Sequence, residues 1–365
     1  MKIQAFQAQG LRNLNDTTLV PHGNVNIIYG DNAQGKTNLL EGMWLFTGLR
    51  SFRGAKDNEI ISKDGRFCKL ELDFFASGRE QKAKMVISDT KKAQLNGVDL
   101  KSASALAGSF CAVVFSPVHL ALIKDGPAVR RKFIDSALCQ AKPSYAALLT
   151  KYSRALSQRN ALLHDARFHS QLFDMIDMWN AELCSAGAQI MALRSKYLIR
   201  LGEQAREIYS GISGGKETLD ISYLPSFEYD EASVISCFEQ ALKNSLSEDM
   251  RCGSTTVGPH RDNFEILVDG LSARKFGSQG QQRSCVLALK LAEASLLSKI
   301  TGEQPVALLD DVMSELDAGR QDYLLNRMTD WQVFITCCDP HPILRLAGGS
   351  CFEMTGGVLQ QSTLL

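Results

Sequence analysis

The chain has 365 residues, 45% hydrophobic and 22% charged, enough for one large or two ordinary domains with sizeable cores. Its 40 basic and 40 acidic residues give a formal net charge of zero, which excludes a nucleic-acid partner held by global charge; such a partner needs a local Lys/Arg patch. No apolar run approaches the ~20 residues of a membrane span, and Met1-Lys2-Ile3-Gln4 lacks a signal peptide's apolar core, so a cytoplasmic protein with no membrane partner is expected.

Short apolar stretches at 3–9, 25–29, 68–75, 83–87 and 111–115, separated by turn signals such as Ser77-Gly78 and Asn96-Gly97, predict strands. They read as a mixed sheet around 25–29. From 128 to 209 the apolar period becomes helical (Tyr145, Leu148, Tyr152, Leu156, then Leu172, Ile176, Trp179, Leu183), ending near 211–215. A strand at 219–223 and a helix over 232–246 follow. The last third alternates again: strand 264–268, helix 279–299, strand 306–309, helix 320–328 and strand 333–337. A sheet begun at the N-terminus and completed at the C-terminus, with a helical insertion, is the simplest architecture. The expected divisions are 1–120, an inserted mainly helical lobe at 121–250, and 251–365. The ten cysteines contain no C-x-x-C pair and read as reduced, mostly buried small hydrophobes.

Directly after 25–29 stand Gly30, Asp31, Asn32, Ala33, Gln34, Gly35, Lys36 and Thr37, a complete G-x-x-x-x-G-K-[ST] phosphate loop. Such loops aim backbone N–H groups at the α- and β-phosphates of a nucleoside triphosphate. Lys36 reaches the β- and γ-phosphates, and the Thr37 hydroxyl is placed to ligate Mg²⁺. The helix that follows adds its partial positive charge.

Downstream, Val306-Ala307-Leu308-Leu309 precedes Asp310-Asp311, a buried strand ending in two carboxylates, as in a Walker B element. Asp310 would hold Mg²⁺ and Asp311 would polarise the attacking water. Ser278, Gly280 and Gln281 open a helix and can present donors to an anion. Ser314 and Asp317 follow the paired acids.

In the order phosphate loop, Ser-x-Gly-Gln, paired acids and Ser314-Glu315-Leu316-Asp317, the chain resembles the ABC-type ATPases of the SMC-related branch. Within that branch it is similar to the RecF family of bacterial recombination mediators. Three stretches carry the likeness: 117–135, Gly258-Pro259-His260-Arg261-Asp262, and 308–317. The implied fold is an α/β ABC-type P-loop ATPase lobe built from both chain ends. The inserted lobe is mainly helical, and ~80 residues of helix cannot supply long coiled coils. The resemblance implies an ATP-dependent homodimer in which Ser278, Gly280 and Gln281 act as a signature in trans and Ser314 and Asp317 form the D-loop. It further implies ATP and Mg²⁺ as cofactors, Asp311 and Lys36 as catalytic residues, and Arg12 near the phosphates. Its partners are duplex or gapped DNA and RecR with RecO, with RecA loaded at single-strand gaps. The ATPase would be weak and DNA-stimulated, working as a switch in repair, replication and the damage response.

This chain departs from the branch in places. Asp311 stands where many ABC ATPases have Glu, and the usual switch His is absent, with Thr336, Cys337 and Cys338 in its place. Val118 and Asp125 replace an acid and a glycine, and no Q-loop glutamine is assignable. Slow turnover is therefore expected. Arg50, Arg53 and Lys56 are the DNA-contact candidates; Lys124 with Arg130-Arg131-Lys132, and Arg194, Lys196 and Arg200, are further basic clusters. Two other readings fit parts of the pattern: an ATP-binding scaffold without significant hydrolysis, and a P-loop transporter subunit. A transporter would normally be shorter and carry the switch His.

Overall fold

A computed structural model describes residues 1–165 and 175–362; Leu172 of the helical pattern lies outside them. The chain divides into two compact units, one of Met1–Leu120, Gly211–Gly215 and Val286–Leu365, the other of Ala121–Ser210 and Lys216–Cys285.

The first unit contains two sheets where the sequence suggested one. Strands β1 (Lys2–Gln9), β2 (Thr17–Leu19), β4 (Cys68–Ala76), β5 (Arg79–Ile87), β6 (Lys91–Leu95) and β7 (Val98–Asp99) form an antiparallel sheet ordered β2-β1-β4-β5-β6-β7. The alternation on β4 is strict: Cys68, Leu70, Leu72, Phe74 and Ala76 are buried, and the residues between them are not. This is the pattern of a sheet with one face on the core. At Asn96-Gly97 both turn residues have positive φ, as a two-residue type I′ hairpin requires.

The second sheet takes its strands from both chain ends: β3 (Val25–Tyr29), β8 (Ala112–Phe115), β12 (Val306–Asp310), β13 (Val333–Cys337), β14 (Ser350–Thr355) and β15 (Val358–Ser362), ordered β15-β14-β3-β13-β12-β8. All pairings are parallel except the β14–β15 hairpin. Every residue of β12 and β13 is buried, consistent with cover on both faces. Leu308 and Phe334 belong to the same core as Phe6, Phe46 and Phe74, so this core lies between the two sheets. Thus the expected single mixed sheet is in fact an antiparallel layer and a separate, mainly parallel one. Periodicity marks which residues are buried but not which strands pair.

The second unit holds the helices Pro127–Ala141, Ser144–Asp165, Val234–Asn244, Leu246–Cys252 and most of the 38-residue Ile176–Ser213, with a small sheet β11-β10-β9 (β9 Leu219–Leu224, β10 Asn263–Val268, β11 Leu271–Ser272). The long helix spans about 57 Å, far short of an SMC coiled coil. Two differences from the sequence reading appear. The helix expected over 232–246 stops at Asn244 and a second starts at Leu246. The second unit also continues past residue 250 to Cys285, because β10 pairs along its whole length with β9, and so Ser278 to Gln281 belong to it.

Candidate nucleotide-binding and hydrolysis site

The phosphate loop joins β3 to the helix Lys36–Trp44. Its backbone needs the residues it has. Gly30 has φ 147°, and a Cβ there would lie 2.3 Å from the Met354 carbonyl oxygen of β14. Gly35, at φ 112°, is kept by its backbone conformation, and a Cβ there would also press on the tip of the Leu14 side chain. Lys36 is buried and folded back on its own loop, with Nζ donating to the Gly30 carbonyl and, at 2.8 Å, to that of Asp31. The loop is tied to its surroundings by three contacts. The Asn13 amide donates to the Ala33 carbonyl at 3.0 Å, the Gly356 N–H to the Gln34 side chain, and the Cys338 thiol to Asn32 Oδ1 at 3.4 Å.

Parallel register places Asp310 of β12 opposite Thr336 of β13. The buried Asp310 carboxylate accepts from the Thr37 hydroxyl (2.7 Å), the Thr336 hydroxyl (3.1 Å) and the Ser116 hydroxyl (3.3 Å). Burial raises its pKa above the usual carboxylate range, and the three hydroxyls oppose that rise. Asp311 is exposed and sits in the left-handed region at φ 52°, a costly conformation for a non-glycine residue and one found preferentially at functional sites. Its N–H donates to the Thr336 hydroxyl at 2.9 Å, and the Ser314 hydroxyl donates to its carbonyl at 2.9 Å. A cleft of about 360 Å³ is lined by Asn32, Lys36, Thr37, Arg53, Asp311 and Thr336, among others. Thr37 and Asp310 offer hard oxygen donors from one hydroxyl and one carboxylate. Such a pair suits Mg²⁺, which usually takes one or two protein ligands and completes its shell with waters and phosphate oxygens.

Other residues singled out in the sequence are placed differently. Arg12, at φ 48°, makes a bidentate pair with Glu41 (Nε to Oε2 2.7 Å, Nη2 to Oε1 3.1 Å), on the helix that follows the loop. Glu41 is fully buried and also accepts from the Ser51 hydroxyl. Sequence reasoning missed Glu41; its signal is an acid on the helix face between Leu39-Leu40 and Met43-Trp44. Of the DNA-contact candidates, Arg50 and Lys56 are exposed. Arg53 lines the cleft and donates to Asn38 Oδ1 at 2.9 Å.

Ser278 and Gln281 form a reciprocal capping box: the Ser278 N–H donates to Gln281 Oε1 at 2.8 Å and the Gln281 N–H to Ser278 Oγ at 3.2 Å. Gln281 Nε2 donates to Glu217 at 2.8 Å. Asp317 caps the helix Ala318–Asn326 by accepting from the Arg320 N–H at 3.0 Å, which lowers its pKa.

Two basic clusters each have one arginine inside the protein, while Arg131 is half-buried and Arg200 exposed. Arg130 is buried, donating to Asn263 and to the Leu122 and Asp125 carbonyls at 2.8–3.0 Å. Arg194, also buried, clamps Asp135 at 2.9–3.0 Å and reaches the Pro259 carbonyl. These guanidiniums organise the second unit and are not DNA-facing cations. His260 plays a related part: Nε2 faces the Thr255 carbonyl at 3.0 Å and so carries the proton, leaving Nδ1 to accept from the Tyr152 hydroxyl at 2.7 Å. Burial holds the imidazole neutral by moving its pKa down to about 4. Cys337 and Cys338 differ: the former is buried, its thiol pushed up to about 12, while the latter is exposed 3.9 Å from Lys36 Nζ.

Comparison with known proteins identifies the family. Residues 2–345 match the family model of the RecF/RecN/SMC N-terminal domain. The DNA replication and repair protein RecF of Acetivibrio thermocellus is 39% identical over 345 residues, covering 93% of this chain and 94% of that one. RecF of Agathobacter rectalis is 41% identical over 339 residues, 92% of each chain. Among solved structures, that of the recombination mediator protein RecF-ATP in the RecFOR pathway superposes with a TM-score of 0.93 at 35% identity, covering 99% of this chain and 98% of its own. The chain therefore belongs to the RecF family, within the RecF/RecN/SMC N-terminal domain group of ABC-type ATPase folds.

Proposed function

We propose that this protein is a cytoplasmic, ATP-gated, DNA-binding recombination and repair mediator. ATP closes two copies on duplex or gapped DNA; with RecR and RecO the closed dimer promotes RecA loading at single-strand gaps; slow hydrolysis reopens it. The observation that carries this reading is the 2.7 Å contact of Thr37 with Asp310, which joins the phosphate loop to the paired acids in a chain of the RecF family.

Each residue then has a defined task. Lys36 exchanges the Gly30 and Asp31 carbonyls for the β- and γ-phosphates. Thr37 and Asp310 would hold Mg²⁺, which would supply positive charge against the phosphate oxygens. The Asp311 carboxylate orients the attacking water and accepts its proton. Across the dimer, Ser278, Gly280 and Gln281 face the γ-phosphate, so Gln281 leaves Glu217 on closure. Asp311 is one methylene shorter than Glu, and neither Thr336 nor Cys338 supplies a cation. Both features support slow turnover.

The test is sedimentation of a fluorescent gapped duplex with the protein, with and without ATP. A heavier complex that needs ATP and is lost in Lys36→Met and Ser278→Arg supports the clamp. An ATP-independent complex of monomer mass contradicts it.

A further inference from the structure

We infer that Thr336 is the positioning residue of the paired acids, acting through one hydroxyl that links Asp310 to Asp311. The inference rests on the hydrolytic reading above and assigns a role at a position where the branch's switch histidine is missing.

Thr336 is 1% exposed at the end of β13, directly opposite Asp310 in the register. Its Oγ1 accepts the Asp311 N–H at 2.9 Å, and its single proton lies toward Asp310 Oδ1 at 3.1 Å, with the Leu309 carbonyl more distant at 3.5 Å. One atom thus addresses both acids with opposite polarity. Only a hydroxyl can do this: a thiol is a weak substitute, and an aliphatic side chain does neither. The N–H it holds belongs to a residue at φ 52°, in the sparsely populated left-handed region, from which a peptide without a fixed partner would relax toward the more populated right-handed and extended regions. Relaxation there would rotate the Asp311 side chain out of the cleft that it shares with Lys36 and Thr37. When Thr336 is removed Asp310 keeps the Thr37 and Ser116 hydroxyls, whereas Asp311 keeps the Ser314 hydroxyl at its carbonyl (2.9 Å) and Oδ1 (3.3 Å) but loses the acceptor of its N–H. The two acids are therefore unequally exposed to the loss: metal and nucleotide binding should survive, and the water-orienting step should not.

The experiment compares wild type, Thr336→Val, Thr336→Ala and Thr336→Ser in the full chain. It measures ATP affinity by fluorescence with a labelled ATP analogue, and kcat and KM for ATP hydrolysis with DNA present. Outer-shell partners of this kind are worth about 10–100-fold in activity, so Thr336→Val and Thr336→Ala should lose that much kcat. KM and analogue affinity should stay within about 3-fold of wild type, and Thr336→Ser should recover most of kcat. Hydrogen exchange at the Asp311 amide of the wild type should be slow, a readout that needs no variant. Wild-type kcat in Thr336→Val, a loss confined to KM, failure of serine to rescue, or a rapidly exchanging Asp311 amide would each overturn the inference. A wild type that binds ATP and never hydrolyses it, with a protected Asp311 amide, would instead defeat the hydrolytic reading.

Discussion

The Thr37 hydroxyl donates to the Asp310 carboxylate at 2.7 Å although 273 residues separate them in the chain. If this pair is the Mg²⁺ ligand set, Asp310→Asn keeps the side-chain volume and removes the charge. Calorimetry should then show ATP affinity in Mg²⁺ falling about 10–100-fold, with little change in EDTA. Equal losses in both buffers would mean that Asp310 supports the loop and not the metal.

Gly30 gives a sharper steric prediction. The atom nearest to a new Cβ is a backbone carbonyl oxygen, which has no rotamer to yield, and φ is 147°. Gly30→Ala should cost about 1–3 kcal/mol in strain and abolish measurable ATP binding, read by urea unfolding and by calorimetry. Near-normal binding would show that β14 can move away from the loop.

Arg12 and Glu41 separate structural from nucleotide roles. Removing Arg12 leaves a fully buried carboxylate with the Ser51 hydroxyl and a distant Arg53, so Arg12→Ala should cost about 3 kcal/mol in urea unfolding. Arg12→Met with Glu41→Leu should restore most of that stability. If ATP affinity returns with stability, Arg12 acts through Glu41; if stability returns and affinity does not, Arg12 reaches the phosphates.

The neutral imidazole of His260 predicts a pH effect. Its pKa falls from 6.5 to about 4 on folding, so between these values the unfolded chain binds more protons. Stability from this group is complete above pH 6.5, declines as pH falls through the window, and amounts to about 3 kcal/mol in full. His260→Gln, which keeps one acceptor and one donor, should flatten the slope of unfolding free energy between pH 4 and 6.5. An unchanged slope would assign it to other groups.

Arg50 and Lys56 can now be tested apart from Arg53, which lines the nucleotide cleft. Arg50→Glu with Lys56→Glu should weaken DNA binding and reduce its salt dependence by about two phosphate contacts without affecting ATP. Arg53→Glu should weaken ATP binding. Full DNA binding by the double variant would move the DNA surface elsewhere.

The parts of the site that were legible in the sequence are those coded locally. The phosphate loop, Asp310-Asp311 after an apolar run, and Ser278 with Gln281 at capping-box spacing each need fewer than ten residues to declare themselves. Glu41 and Thr336 depend on register and burial, which no short window holds: Thr336 matters because β13 lies beside β12 with Asp310 opposite it. The two-sheet arrangement was hidden for the same reason, and the β14–β15 hairpin had only Gly356-Gly357 to announce it. Arg130 and Arg194 looked like surface charge because a sequence shows the cations and not the carbonyls and Asp135 that take them inside.

The position of β3 sets a timetable for making the protein. Its two sheet neighbours are β13 and β14, which begin at Val333 and Ser350, so the strand that launches the phosphate loop has no lateral partner in the first ~300 residues translated after it. At about 5–20 residues per second, Lys36 waits roughly 15–60 s on the ribosome before the sheet can close around it. Truncated products that stop short of β13 carry the whole loop motif but neither of the strands that flank β3, so possession of the motif and possession of the folded loop are separate events in the life of the chain.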